Sequence, residues 1–282
     1  MIKQLYRFLS PRYQNLFLEY KVDLSPRYGH GQPPHSGLYD LINQRRASYK
    51  ALLHTLLEQK AAIQAIKKCG EEKDPAQPCW NNGFLPGLDI ATLYFMLNHT
   101  QAKTYIEVGS GNSTKVAARS IKDHGLSTRI LSIDPQPRVE IDALADEVIR
   151  APFEKTDLAI LDQLAASDIL FIDNSHRVLP NSDATVFFLE VLPRLKPGVI
   201  VHIHDIYLPY DYPPFMCDRF YSEQYLLAAF ILANPAKYLP ILPNYFISED
   251  PELSQLLQPL WQHPHLDGVE RHGGSFWMTI GA

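Results

Sequence analysis

The stretch Tyr105–Thr114 reads YIEVGSGNST. An apolar run with strand character carries one acid, Glu107, and ends on Gly109 and Gly111, followed by Asn112, Ser113 and Thr114. Glycines at such a junction permit a tight turn and close backbone approach. Ser113 or Thr114 can cap a helix that follows. A lone GxG fits any tight strand–helix turn, so the acid has to be explained from the rest of the chain.

Around this stretch, short β-rich runs alternate with helical segments. Strands are expected at 104–108, 129–134, 147–151, 168–173 and 198–205, with helices at 113–124, 139–145, 155–166 and 181–194. Strands that are apolar throughout and separated by helices form a parallel sheet covered on both faces. Right-handed crossovers then give a doubly wound, mostly parallel α/β sheet. Beyond Asp205 the alternation stops at an aromatic, proline-rich loop, IYLPYDYPPFM. A helix at 220–233, a strand at 238–246, a helix at 250–261 and a strand at 274–281 follow. Upstream, residues 21–36 form a loop. Apolar residues at helical spacing predict one helix over 38–69, capped by Ser36 and closed by Gly70. Residues 71–87 break structure again, and 88–98 form another helix. The organisation is an N-terminal helical extension over 1–87 and an α/β domain over 88–282.

The 282 residues are 46% hydrophobic and 20% charged, enough for a sizeable core. With net charge −5 and no basic block, nucleic acid is a poor partner. Three cysteines, Cys69, Cys79 and Cys217, show no CxxC spacing and suggest a reducing compartment, hence a cytoplasmic protein. The N-terminus lacks the apolar stretch of a signal peptide, and no window is long and apolar enough for an integral membrane segment.

In an open parallel sheet, ligands bind beyond the carboxyl ends of strands where strand order reverses. The glycine loop is such a place. Glu107 would repel a phosphate and attract a cation. Asp134, ending the next strand, can accept hydrogen bonds from both hydroxyls of a ribose. A ligand with an ammonium or sulfonium, a ribose and no phosphate suits both. EVGSGNST followed by SID resembles the class I S-adenosylmethionine-dependent methyltransferases. FIDNSHR (171–177), HIHDIYLPYDYP (202–213), YSEQYLL (221–227) and GGSFWM (273–278) resemble a bacterial small-molecule subgroup, and the likeness runs from about residue 81 to the C-terminus. The resemblance implies a Rossmann-like sheet of seven strands ordered 3-2-1-4-5-7-6, the last antiparallel. It implies S-adenosylmethionine as cofactor, lined by Glu107, Gly109, Ser110, Gly111, Asn112, Ser113, Asp134 and Pro135, with Pro152 and Phe153 near the adenine and Asp173 alongside. The first 80 residues match no family pattern.

Asp173 ends the fourth strand, with Ser175, His176 and Arg177 just after, and His204 and Asp205 end the fifth. These ends point at one crevice. Asp173, His204 and Asp205 are candidates for a divalent-metal site, magnesium or manganese, as in catechol-type methyltransferases. Those enzymes have an amide ligand where Ile206 stands. The alternative is a general-base cluster in which Asp173, Asp205 and His176 are catalytic, with His176 as base. Convergence requires the chain to turn at Asp205. His202 is read as a core or interface histidine. Tyr207, Tyr210, Tyr212, Phe215, Phe220 and Tyr221 either wall an acceptor pocket or pack a long loop. The expected activity is methyl transfer to a small-molecule acceptor, a hydroxyl of a sugar or secondary metabolite. Alternatives are an NAD-dependent oxidoreductase, which Asp134 would also suit, and a non-catalytic scaffold. The 38–69 helix is read as a cover or homodimerisation element.

Overall fold

The computed structural model describes residues 2–11, 13–137 and 139–282. Seven apolar runs pair into one sheet: β1 (Thr104–Val108), β2 (Arg129–Ile133), β3 (Glu147–Ile149), β4 (Ile169–Ile172), β5 (Ile200–Ile203), β6 (Tyr238–Pro243) and β7 (Phe276–Ile280). Their order is β3-β2-β1-β4-β5-β7-β6, with β7 antiparallel to both neighbours. This is the strand order implied by the resemblance. Strands β4 and β5 are buried at every position, which fits a sheet covered on both faces. The edge strand β6 carries Pro240 and Pro243, and its register with β7 shifts between Pro240 and Leu242. Proline lacks the N–H a central ladder needs, so an edge is where this sequence can pair.

The register positions the site. Val108 pairs with Ile133 on one side and Ile172 on the other, and Ile172 pairs with Ile203. Four strands therefore end level, and Gly109, Asp134, Asp173 and His204 follow in one row. Strand order reverses between β1 and β4, which opens a crevice there.

Several expectations are corrected. The single helix over 38–69 is three helices, Ser36–Asn43, Arg46–Glu58 and Lys60–Gln64. His35 caps the first, its Nδ1 accepting from Leu38 N at 3.3 Å, so Ser36 is helical rather than the cap. Gly70 closes no helix. The first break is held by tertiary bonds that a periodicity cannot show: Arg45 Nε donates to Pro240 O at 2.8 Å, and Arg46 pairs with Asp250 and Glu252. Helices expected at 139–145 and 155–166 are short turns at Asp142–Leu144, Phe153–Lys155 and Leu158–Gln163, whereas the segment expected at 181–194 is helical over 183–194, widened at Phe187–Val191 and tightened at Leu192–Arg194. Lys67–Lys68 pairs with Cys79–Trp80, and this small ladder brings Cys69 and Cys79 into a disulfide. The expectation of unpaired thiols is overturned, and the inference of a reducing compartment loses its support. Cys217 is free and buried. Leu38, Tyr49, Leu53 and Ile63 of the extension share one hydrophobic core with sheet residues such as Ile106 and Phe276. Among the described residues no helix is long and apolar enough to cross a membrane.

Candidate functional site

Glu107 is fully buried beneath the glycine loop. The hydroxyls of Tyr105 (3.3 Å), Ser113 (3.0 Å), Thr114 and Ser132 all donate to its two oxygens. Burial pushes this carboxyl up to about 7, against the pull of the hydroxyl donors. The acid thus ties β1, β2 and the start of the helix Asn112–His124 together. Thr114 extends the tie, its hydroxyl accepting from Gly111 N at 3.0 Å. Gly109 adopts φ +82°, and a Cβ there would overlap the Asp173 carbonyl oxygen. Only glycine lets the loop lie this close to the end of β4. Asp134 is held by Ser110 N at 2.8 Å and Gln136 N at 2.7 Å.

Beyond the loop lies a narrow cleft lined by Ser110, Gly111, Asn112, Ser113 and Asp173, with Phe84, Leu85 and Val139 as apolar walls. Of the expected cofactor residues, these first five line it. Glu107 lies beneath it and acts through the loop. Asp134, Pro135 and Pro152 are off its lining, and Phe153 is turned into the core at 4% exposure. A proline–aromatic pair past a strand end cannot by itself reveal which way the ring turns. A glycine cradle, backbone N–H groups at a helix start and apolar walls fit the methionine and ribose parts of S-adenosylmethionine.

A second cleft of about 480 Å³ meets the first at Phe84 and Asp173. Its floor is Asp173, His176, His204 and Asp205. The chain turns at Asp205, which adopts φ +54°, and Ile206 N donates to Gly274 O at 2.7 Å. That turn is the condition for convergence. His176 Nε2 lies 3.3 Å from Asp173 Oδ1 and 3.6 Å from Asp205 Oδ2. His204 Nδ1 lies 3.6 Å from Asp173 Oδ1 and 3.7 Å from Asp205 Oδ1.

Two further acids complete the cluster. Glu223, the first residue of the helix Glu223–Ala233, pairs with His176 Nδ1 at 2.6 Å. Asp89, in the first turn of the helix Gly87–Thr100, lies 3.6 Å from His204 Nε2. It also accepts from Gly274 N, Ser275 N and Asn244 Nδ2. Both acids are completely buried. Sequence reasoning missed both. An acid inside LDIATLYFMLN, a helix buried over Gly87–Leu97, was the available signal for Asp89. For Glu223 it was its place in YSEQYLL, a segment already noted for its likeness.

Burial works against charge on both histidines, and the carboxylates outweigh it. His204 is pushed up to about 9, chiefly by Asp205 and Asp173, and His176 rises well above its ordinary value through Glu223 and Asp173. Burial works against the charge of Asp173 too, and His204 and His176 hold it well below the carboxylate range. Burial raises Asp89, and burial together with the Asp205 and Asp183 carboxylates raises Glu223. Carboxylates this close repel unless a cation lies between them, and the imidazolium rings are that cation. Among the described residues no group of three or more His, Cys, Asp or Glu is placed to hold a metal ion. The donor set at Asp173, His204 and Asp205 therefore does not fit the expected divalent-ion site.

His202 is a core residue, buried between Trp277 at 3.8 Å and Phe171 at 4.4 Å. Burial pushes it well below the ordinary histidine value. The loop aromatics divide. Tyr207, Phe215 and Tyr221 line the second cleft, whereas Tyr212 is fully buried in a small core of its own with Tyr207, Met216, Cys217 and Tyr221. Tyr210 and Phe220 are off the lining. Tyr221 stacks on His176 at 4.6 Å.

Residues 106–206 match a family model described as a methyltransferase domain. No curated protein matches the chain. Solved structures with a similar fold include a putative O-methyltransferase from Klebsiella pneumoniae, 15% identical over 87% of this chain and 100% of that one, TM-score 0.39. Another is the Podospora anserina methyltransferase PaMTH1, 12% identical over 85% and 95%, TM-score 0.42. A Bacillus cereus O-methyltransferase is 16% identical over 82% and 91%, TM-score 0.36. The fold assignment rests on strand order and register rather than on these neighbours.

Proposed function

We propose that this chain, whose residues 106–206 match a methyltransferase-domain model, moves a methyl group from S-adenosylmethionine to a hydroxyl oxygen of a small molecule, a sugar or secondary metabolite. The observation that carries the reading is the imidazole–carboxylate cluster where two clefts meet at Asp173. One cleft suits the cofactor and the other is wide enough for a small acceptor.

The cofactor supplies a methyl on a cationic sulfur, and the sulfur keeps the bonding electron pair when the methyl leaves. Positioning does much of the rest, because nucleophile, carbon and leaving atom must lie in line. The loop Gly109–Ser113 and Asp173 set one end of that line, and the floor of the second cleft sets the other. A hydroxyl must lose its proton as it attacks. His176 presents Nε2 to the cleft because Glu223 holds Nδ1 at 2.6 Å. Glu223 first and Asp173 next hold His176 charged at rest, so it acts as a base in the form that has released its Nε2 proton to solvent. Asp205 and Glu223 then stabilise the imidazolium formed when the acceptor proton arrives. Asp89 and His204 hold the floor in place.

The test is methyl transfer from labelled cofactor to catechols and free sugars, with His176→Gln beside wild type. Loss of a general base costs about 10²–10⁴-fold in turnover. The reading expects a loss in that range, with S-adenosylhomocysteine affinity within about twofold of wild type. Unchanged turnover in His176→Gln would remove the base.

A further inference from the structure

The second cleft has walls of unlike charge. After the short helix Pro214–Cys217, Phe220 adopts φ +59° and Tyr221 N donates to Met216 O at 3.2 Å. This turn lays the Arg219 guanidinium over the Tyr221 ring, 4.6 Å from its centroid. Arg177 reaches the same ring at 5.2 Å, but its guanidinium is committed to the Arg219 and Ser175 carbonyls, each at 2.8 Å. Arg219 has no such commitment. Among the described residues its guanidinium meets no carboxylate and no hydrogen-bond acceptor, only the ring, and it is an exposed part of the cleft wall. The floor carboxylates are matched by His176 and His204. Glu270 and His272 line the cleft as well without pairing with Arg219.

We propose that the acceptor carries an anionic group, a carboxylate or a phosphate, that seats on Arg219 while a hydroxyl of the same molecule reaches His176. The inference rests on the reading of this cleft as the acceptor site. A guanidinium offers a planar fork that matches either anion with two parallel hydrogen bonds, and the Tyr221 face restrains it without using its donors. Anchoring remote from the reacting oxygen also fixes the hydroxyl's orientation. Arg219 thereby selects the acceptor and takes no part in proton transfer.

The measurement is calorimetry on the S-adenosylhomocysteine complex, which needs no turnover. Matched probes share hydroxyls and differ in charge: 3,4-dihydroxybenzoate against catechol, galacturonate against galactose, and glucose 6-phosphate against glucose. In at least one pair the charged member should bind about tenfold or more tightly than the neutral one, the size of one charge-assisted contact. The pair that responds distinguishes carboxylate from phosphate. Arg219→Ala should abolish the preference and Arg219→Lys keep part of it, with S-adenosylhomocysteine affinity unchanged in both. Equal binding within every pair, silence with every probe, or a preference surviving Arg219→Ala overturns the inference while leaving the methyltransferase reading intact. A wild-type protein that does not bind S-adenosylhomocysteine overturns both.

Discussion

His204 gives the candidate site a pH dependence that reaches the whole fold. Its value is raised to about 9 in the folded chain, against an ordinary histidine value near 6.5. A group whose folded value is raised stabilises fully below its unfolded value and loses that contribution as pH rises through the folded one. The melting temperature should therefore fall between about pH 6.5 and 9. His204→Gln, which cannot carry the charge, should flatten that slope and lower the plateau below pH 7. An identical slope in the variant would show that the charge lies elsewhere. At this scale the sequence was informative where strand-end logic applied: Asp173, His176, His204 and Asp205 converge as residues just past two adjacent strands must. It was silent on Asp89 and Glu223, because helices distant in sequence deliver them and only packing reveals the direction in which they point. It gave no sign of the four hydroxyls that enclose Glu107 beneath the loop.

At the scale of elements, the glycine loop joins strand chemistry to site chemistry. Gly109 combines φ +82° with a backbone approach that leaves no room for a Cβ against Asp173. Gly109→Ala should force β1 and β4 apart at their ends and destabilise the fold by about 1–3 kcal/mol, the cost of a strained backbone position. It should also weaken S-adenosylhomocysteine binding more than tenfold, because Ser110, Gly111 and Asp173 would no longer frame one cleft. Chemical denaturation and calorimetry on the same variant check both, and wild-type values in both would contradict this account of the loop. The parallel strands were legible because continuous apolar runs between helices have few alternative packings. The broken helix over 36–64 was not, because its apolar periodicity continues through a break that Arg45 and Arg46 hold by tertiary bonds. The Cys69–Cys79 bridge was invisible for a related reason: a spacing of ten residues carries no signature, and a two-residue ladder makes the pairing.

At the scale of the molecule, strand order determines where chemistry can occur. The reversal between β1 and β4 opens the crevice, and the level strand ends gather Gly109, Asp134, Asp173 and His204 along it. The extension completes the assembly from outside the sheet. Its helices join the common core, and the segment after the disulfide supplies Phe84, where the two clefts meet. The central claim is that this crevice takes a nucleoside ligand without phosphate, framed by the loop, and we propose that Asp134, which follows the neighbouring strand just outside the cleft lining, reaches its ribose. Calorimetric titration of the full chain with S-adenosylhomocysteine, repeated with Asp134→Ala and with NAD, tests it most directly. The account predicts saturable one-to-one binding of S-adenosylhomocysteine, a loss of about 1–3 kcal/mol in Asp134→Ala as charged hydrogen bonds to the ribose disappear, and no heat with NAD. Binding of NAD in preference, or affinity for S-adenosylhomocysteine unchanged by Asp134→Ala, would contradict it.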